Sequence, residues 1–401
     1  MSGIASKIRE LVAQYDDYVI AARRRVHVFA EISGKEYKTS DFIENELMSI
    51  GLSVEKVSNT GLIGVLDTGL PGSTIALRAD IDALPISEHQ FNLSRERICI
   101  SENENTCHAC GHDAHTAMLI GAAKVLSMLK GLISGKVLFC FEEGEEMGLG
   151  VKPMLNALSK RHIDSVLATH VLSTLEAGKI NVSPGPRMAG GRRILMRING
   201  KGGHGSRPDL SINPVYAAAA ITTNITGALQ NVIDPDNPVT VGITSIQGGS
   251  AENIFPDYAD IKGTLRFFDF EEGLKVAQTI RVVAKNTAEM LGCFVEFDPA
   301  MDWHGLPVIN DSTVSQRAAG ALSLLGYYDA LAHSPPWYGA ESFSSYLAKY
   351  PGALMFLGIK NDNYGSGAPH HNEMFDVDES VLALGVAAMS GYVVYERMSS
   401  E

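Results

Sequence analysis

Cysteine is scarce in this chain, with five residues in 401. The number is odd and the residues are scattered, which does not match a disulfide framework. Long apolar runs are also missing. The longest, "VLALGVAAMSGYVVY", is short for a membrane span and is interrupted by Gly385, Ser390 and Gly391, so it reads as a buried helix. There is no Lys/Arg-rich stripe: 33 basic residues face 46 acidic ones, and the net charge of -13 is spread along the chain. Nucleic acid is therefore not an expected partner, and a small molecule is. The opening "MSGIASKIRELVAQYDDYVIAARRRV" is charged throughout and holds no apolar core of signal-peptide length, so the expected location is cytoplasmic, with no membrane partner. No internal repeat or low-complexity segment occurs.

What the chain does have is length enough for two domains and a pattern that changes twice along it. From 1 to about 186, helix-like and strand-like segments alternate, which predicts a mixed, mainly parallel sheet with helices on both faces. The strands "STIALRA", "GKVLFCF" and "DSVLATH" end near Asp80 and Asp82, Glu145 and Glu146, and His170. Ligands of open α/β sheets bind beyond the carboxyl ends of strands, so these endings are expected to converge. From 187 to 302 the order becomes β-α-β-β-α-β, the ferredoxin-like split unit. In its strand "YADIKGTLRFF", Ile261, Leu265 and Phe267 alternate with charged or polar residues. From 303 to 401 the α/β pattern resumes. The predicted fold is one α/β domain, 1–186 and 303–401, interrupted by a smaller α+β domain, 187–302.

The densest chemistry is "TCHACGHDAH", residues 106 to 115. His108, Cys110 and His112 alternate, so in extended chain they would point the same way, and thiolate and imidazole both suit transition metals. Taken alone, Cys107 and Cys110 also fit a redox pair or plain structure. In "FCFEEGEEMG", Glu145 and Glu146 follow an apolar strand, and neighbours in extended chain project to opposite sides. One can hold a metal while the other faces a substrate and moves protons. Taken alone, the cluster also fits a solvated acidic turn. His170 closes a strand, and His370 and His371 follow Gly- and Pro-rich chain. Each is unremarkable singly; together they complete a Cys, His, Glu, His, His set. The smaller domain adds two Gly-rich loops, "GKGGHGSRPD" with His204 and "GGSAENIFPD" with Asn253, which by residue type fit either ligand contact or ordinary turns.

The segments "ADIDALPISE", "CHACGHDAHTAMLIGAA", "FEEGEEMG", "THV", "GKGGHGSRPD", "GGSAENIFPDYADIKGTLRFFD" and "HHNEMFDVDE" stand in the order seen in metal-dependent aminoacylases and amidohydrolases. The chain most resembles the hippurate hydrolase and indoleacetyl-amino-acid hydrolase branch of the aminoacylase and carboxypeptidase G superfamily, over nearly its whole length. The resemblance implies two divalent transition-metal ions, Mn, Zn, Ni or Co, held by Cys110, His112, Glu146, His170 and His371. It implies Glu145 as general acid/base, His204 and Asn253 at the substrate carbonyl, and Asp80 and Asp82 supporting the ligands. It also implies that 187–302 serves as a lid and dimerisation domain in a homodimer.

The activity so implied is hydrolysis of the amide bond of an N-acyl amino acid or related small amide by a metal-activated water. Rivals on the same machinery are a dipeptidase or carboxypeptidase and a hydrolytic deaminase of an aromatic amine. A metal-stabilised binding protein is a rival of another class, disfavoured because it has no use for Glu145. Several motifs depart from the family pattern: Phe29 and Ala30 replace the usual residues near the N-terminus, and "EEGEE" replaces "QPAEE", placing Glu142 and Glu143 beside the expected metals. "GHGSRPD" carries Ser206, Arg207 and Asp209 where relatives read "GHGAxPH", and Ser342 replaces an acid in "GAESFS".

Overall fold

The structure, a computed structural model, describes residues 2–302 and 304–398. The chain divides into two compact units, Met1–Gly185 with Ile309–Pro335 and Ser345–Glu401, and Pro186–Val308 with Pro336–Ser344. The expected boundary at 303 lies outside the described residues. Residues 336–344, read from sequence as part of the first domain, cluster with the second unit.

The first unit is built on a seven-stranded sheet in the order Ser53–Lys56, Leu62–Asp67, Lys136–Glu142, Thr74–Asp80, Ser165–Glu176, Gly352–Lys360, Ile180–Asn181. Its four central members pair in parallel, and antiparallel strands close both edges. Short apolar runs form these central strands because helices cover them and leave no polar face. Helix His112–Met128 is itself buried almost all round, which explains why its sequence is apolar without a clear stripe. It packs with helix Leu382–Met398 in the core, where Met118, Leu126, Leu357, Val386 and Tyr392 are fully buried or nearly so. That last helix is the apolar run read as buried, and among the described residues no helix is long and apolar enough to cross a membrane.

The second unit follows the predicted β-α-β-β-α-β order: Gly190–Asn199, Pro214–Leu229, Val239–Gly248, Tyr258–Phe267, Phe270–Met290, Phe294–Phe297. Counted along the chain, its strands lie in the order 2-3-1-4, all antiparallel, which is the ferredoxin-like sheet. Alternate residues Ile194, Met196 and Ile198 meet Ala217, Ile221, Val276 and Ile280 of the two helices in one core. Asn213 and Asp269 cap those helices through their side chains.

Candidate metal centre

Gly111 precedes helix His112–Met128 with φ of 85°, and a Cβ on it would lie 2.4 Å from Val171 Cγ2. Only glycine makes that turn without a clash. The chain already turns at residues 109–110, where the Gly111 N–H bonds the His108 carbonyl at 3.2 Å, so the extended alternation is lost and His108 parts from Cys110 and His112, the first helical residue. The His108 ring is buried 6.1 Å from that of His27, and neither of its nitrogens has a hydrogen-bond partner among the described residues.

The remaining expected residues come together. Cys110, His112 and His170 each offer an atom within 4.8 Å of the others, as do Cys110, Glu146 and His371, and His112, Glu145 and Glu146. Cys110 belongs to two of these groups. Glu145 and Glu146 are separated differently from the expectation: Gly144 turns left-handed and Glu145–Met147 forms a short 3-10 turn, so helical rotation, and not strand alternation, sets their directions. His170 lies inside strand Ser165–Glu176, not at its end.

Hydrogen bonds orient these donors. His170 gives its Nδ1 proton to the Val171 carbonyl at 2.7 Å, which points Nε2 at the Cys110 sulfur, 3.8 Å away. His112 Nδ1 faces the carbonyl and carboxylate of Asp82 at 3.0 and 3.1 Å. Asp82 also accepts from Ser33 and from the Glu146 backbone N–H. His371 Nε2 stands 3.2 Å from Glu146 Oε1. In a fourth group, Asp80, His112 and His115, the atoms of Asp80 and His115 are already engaged. His115 accepts the Val171 N–H on Nε2 and donates from Nδ1 to Asp80, whose other oxygen pairs with Arg78.

The donor set fits a divalent transition metal. His112 Nε2 is buried with no hydrogen-bond partner among the described residues, and the buried Glu146 Oε1 faces it and His371 Nε2, so an ion at those atoms would satisfy both. Burial pushes the Cys110 thiol well above its usual range, so a cation beside the sulfur is what would ionise it. Burial, with His115 and His370 nearby, holds His170 well below its ordinary value and keeps it neutral, the form a metal would need. Burial also opposes charge on His112, but Asp80 and Cys110 outweigh it and raise that group, so a proton competes with a metal there.

Several participants were not legible as such in sequence. His370, neighbour of the expected ligand, is half-buried with Nδ1 3.8 Å from Cys110, and its Nε2 accepts the Ser173 N–H. Burial lowers it to about 3. Asp113, next to His112, receives Arg23 Nε and His27 Nδ1, each at 2.7 Å, and the other His27 nitrogen meets Glu88 at 2.8 Å. This buried network fixes the helix start that carries His112.

In the second unit, Gly203–His204 pairs with Ile254–Phe255, and the Asn253 carbonyl accepts the Gly205 N–H at 2.7 Å, so the two Gly-rich loops are joined. His204 is exposed. Its Nδ1 accepts the Ser206 N–H at 3.2 Å and lies 2.8 Å from the Ser206 hydroxyl, which leaves Nε2–H as an outward donor. Arg207 and Asp209 close on each other at 2.8 Å on the surface. Ser342 lies 3.4 Å from Glu341, whose carboxylate also accepts the Phe343 N–H.

A family model described as Peptidase family M20/M25/M40 matches residues 76–394. Thermostable carboxypeptidase 1 of Saccharolobus solfataricus is 34% identical over 389 residues, covering 96% of this chain and 97% of that protein. An N-acyl-L-amino acid amidohydrolase of Geobacillus stearothermophilus is 37% identical over 317 residues, covering 78% and 84%. Among solved structures, the Bacillus subtilis YXEP protein, described as a dinuclear metal binding peptidase from the M20 family, superposes with a TM-score of 0.81 at 31% identity, covering 96% and 99% of the two chains.

Proposed function

The chain belongs to peptidase family M20/M25/M40 and is a metal-dependent hydrolase of C–N bonds, and from that premise we propose that its substrate is an N-acyl amino acid or a related small amide. The observation that carries the reading is Glu145 beside the donors Glu146 and His112. A site built only to bind a metal has no need of that extra carboxylate.

Cys110, His112, Glu146, His170 and His371 are the residues we assign to hold the metal. Five donors exceed what one tetrahedral site needs, which supports two ions, and a thiolate, imidazole and carboxylate set suits Zn, Mn, Co or Ni. When bound, such ions supply the Lewis acidity that activates water and polarises a carbonyl at neutral pH. Glu145 accepts a proton from the attacking water and delivers it to the leaving nitrogen as the C–N bond breaks. His204, through its Nε2–H, is assigned to the developing oxyanion, with Asn253 as a further amide donor. Asp80 and Asp82 hold His115 and His112 in place.

Carboxypeptidase action is a second reading, favoured by the name of the Saccharolobus relative. A chromatographic screen of N-acyl amino acids, dipeptides and aromatic amines against metal-loaded protein separates the cases. Release of free amino acid from N-acyl substrates is expected, and turnover confined to dipeptides would favour the second reading. We also propose a homodimer, to be checked by sedimentation. A cytoplasmic location is supported by the five free cysteines. The division of labour we propose gives catalysis to 1–186 with 303–401 and the lid to 187–302.

A further inference from the structure

The two glutamates that depart from the family motif turn out to be engaged by partners. Glu142 is fully buried and paired with Arg78 and the Tyr346 hydroxyl. Glu143 folds back on the turn at 60–61, where its Oε2 accepts the Thr60 N–H at 2.6 Å and the Gly61 N–H at 3.2 Å and lies 2.7 Å from Thr60 Oγ1. The same hydroxyl lies 2.7 Å from Oε2 of a second buried acid, Glu36. The other Glu36 oxygen, Oε1, accepts the Gly34 N–H at 2.9 Å and the Gly144 N–H at 2.8 Å.

A hydroxyl has one proton to give. If both carboxyls were ionised, Thr60 would face two anionic acceptors with a single hydrogen. Neither Glu36 nor Glu143 has an ion-pair partner among the described residues, so two uncompensated charges would be buried within reach of one oxygen. One extra proton resolves the count. It does not fit on Glu143 Oε2, which already faces two backbone N–H groups. It fits on Glu36 Oε2, whose one neighbour is the Thr60 oxygen. Glu36 then donates to Thr60, Thr60 donates to Glu143, and Glu36 Oε1 still receives Gly34 and Gly144.

We propose that Glu36 is a proton-bearing positioning residue that holds, through the Gly144 N–H, the left-handed turn presenting Glu145 and Glu146. The proposal rests on the reading of those two as the working carboxylates. The environments agree with this assignment. Burial raises Glu36, with the nearby Asp82 charge adding to it and hydrogen bonds from Thr60 and Gly34 only partly offsetting it. Burial would raise Glu143 too, but donors from Thr60, Ser58 and Gly61 outweigh it and hold that carboxyl below its usual range. Gly144 has little freedom to shift: its φ is 57°, and a Cβ there would lie 2.9 Å from Leu149.

Glutamine is a close mimic of the neutral acid, since its amide N–H can donate to Thr60 while its oxygen accepts from Gly34 and Gly144. The test compares E36Q, E36A and E143Q in full-length, metal-loaded protein. The infrared difference spectrum of wild type against E36Q at neutral pH is expected to show the C=O stretch of a protonated carboxylic acid present only in wild type. E36Q should turn over like wild type, while E36A should lose about tenfold or more in kcat with KM and metal content unchanged. E143Q should lose stability, because its amide N–H2 meets donors instead of an acceptor. Absence of the protonated-acid band overturns the proton assignment whatever the kinetics show, so it is independent of the roles given to Glu145 and Glu146. E36A with wild-type kcat, or E36Q as impaired as E36A, overturns the positioning role. If E36A does not fold, the band and E36Q kinetics still decide.

Discussion

Asp82 grips His112 at Nδ1 and leaves the other ring nitrogen to the candidate donor cluster: its Oδ1 and carbonyl oxygen lie 3.1 and 3.0 Å from Nδ1, while Nε2 has no hydrogen-bond partner among the described residues. A carboxylate on Nδ1–H fixes the tautomer in which Nε2 is a lone-pair donor. Asp82→Ala should therefore weaken metal binding by about tenfold to a hundredfold without removing any ligand. Titration against a chelator of known affinity measures it, and unchanged affinity would separate Asp82 from the site.

The two cysteines of "CHAC" should behave differently. Cys110 shares groups with His112, His170, Glu146 and His371. Cys107 is buried, pairs through its backbone with Leu84, and is pushed up to about 12 by burial, which makes it an inert thiol. Cys110→Ala should lose metal and activity together, and Cys107→Ala should be mild. Equal and severe loss from both would favour a redox or structural pair.

His204→Ala should lower turnover while leaving metal content intact, because His204 is exposed on the second unit and its Nε2–H belongs to no internal bond among the described residues. Steady-state kinetics beside elemental analysis checks this. Unchanged kcat at saturating substrate would remove His204 from the mechanism.

His27 gives the fold a pH dependence. Burial and Arg23 oppose its charge, but Asp113 and Glu88 outweigh them and raise it from 6.5 to about 9. A group raised in the folded state adds stability that is complete below its unfolded pKa and is lost as pH rises through the folded one. The shift corresponds to roughly 3 kcal/mol, present in full below about pH 6.5 and gone above about pH 9. Denaturant unfolding across that window should show the decline in wild type and a flatter profile in His27→Gln. Parallel profiles would contradict the pairing.

Much of this was legible because periodicity reports burial. The ferredoxin-like unit follows from alternation such as Ile261, Leu265 and Phe267, and the parallel core from uniformly apolar strands. The candidate metal donors were visible as types with ordered spacing, and the structure brings them together. What sequence could not show was direction. His108 looked equivalent to Cys110 and His112, but the chain turns at residues 109–110, between His108 and the other two. Glu145 and Glu146 part through a 3-10 turn that "EEGEE" does not announce. Glu142 and Glu143 read as charge beside the metals because their partners, Arg78, Tyr346 and Thr60, are distant in the chain.

The central claim is that two adjacent, chemically identical side chains do different work: Glu146 holds metal and Glu145 moves protons. Side-by-side metal analysis and kinetics of Glu145→Gln and Glu146→Gln test it most directly. Glu145→Gln should keep its metal and bind substrate yet turn over at least roughly a hundredfold more slowly, while Glu146→Gln should lose metal affinity. Metal lost from Glu145→Gln and retained by Glu146→Gln, or hydrolysis unslowed by either change, would contradict the account.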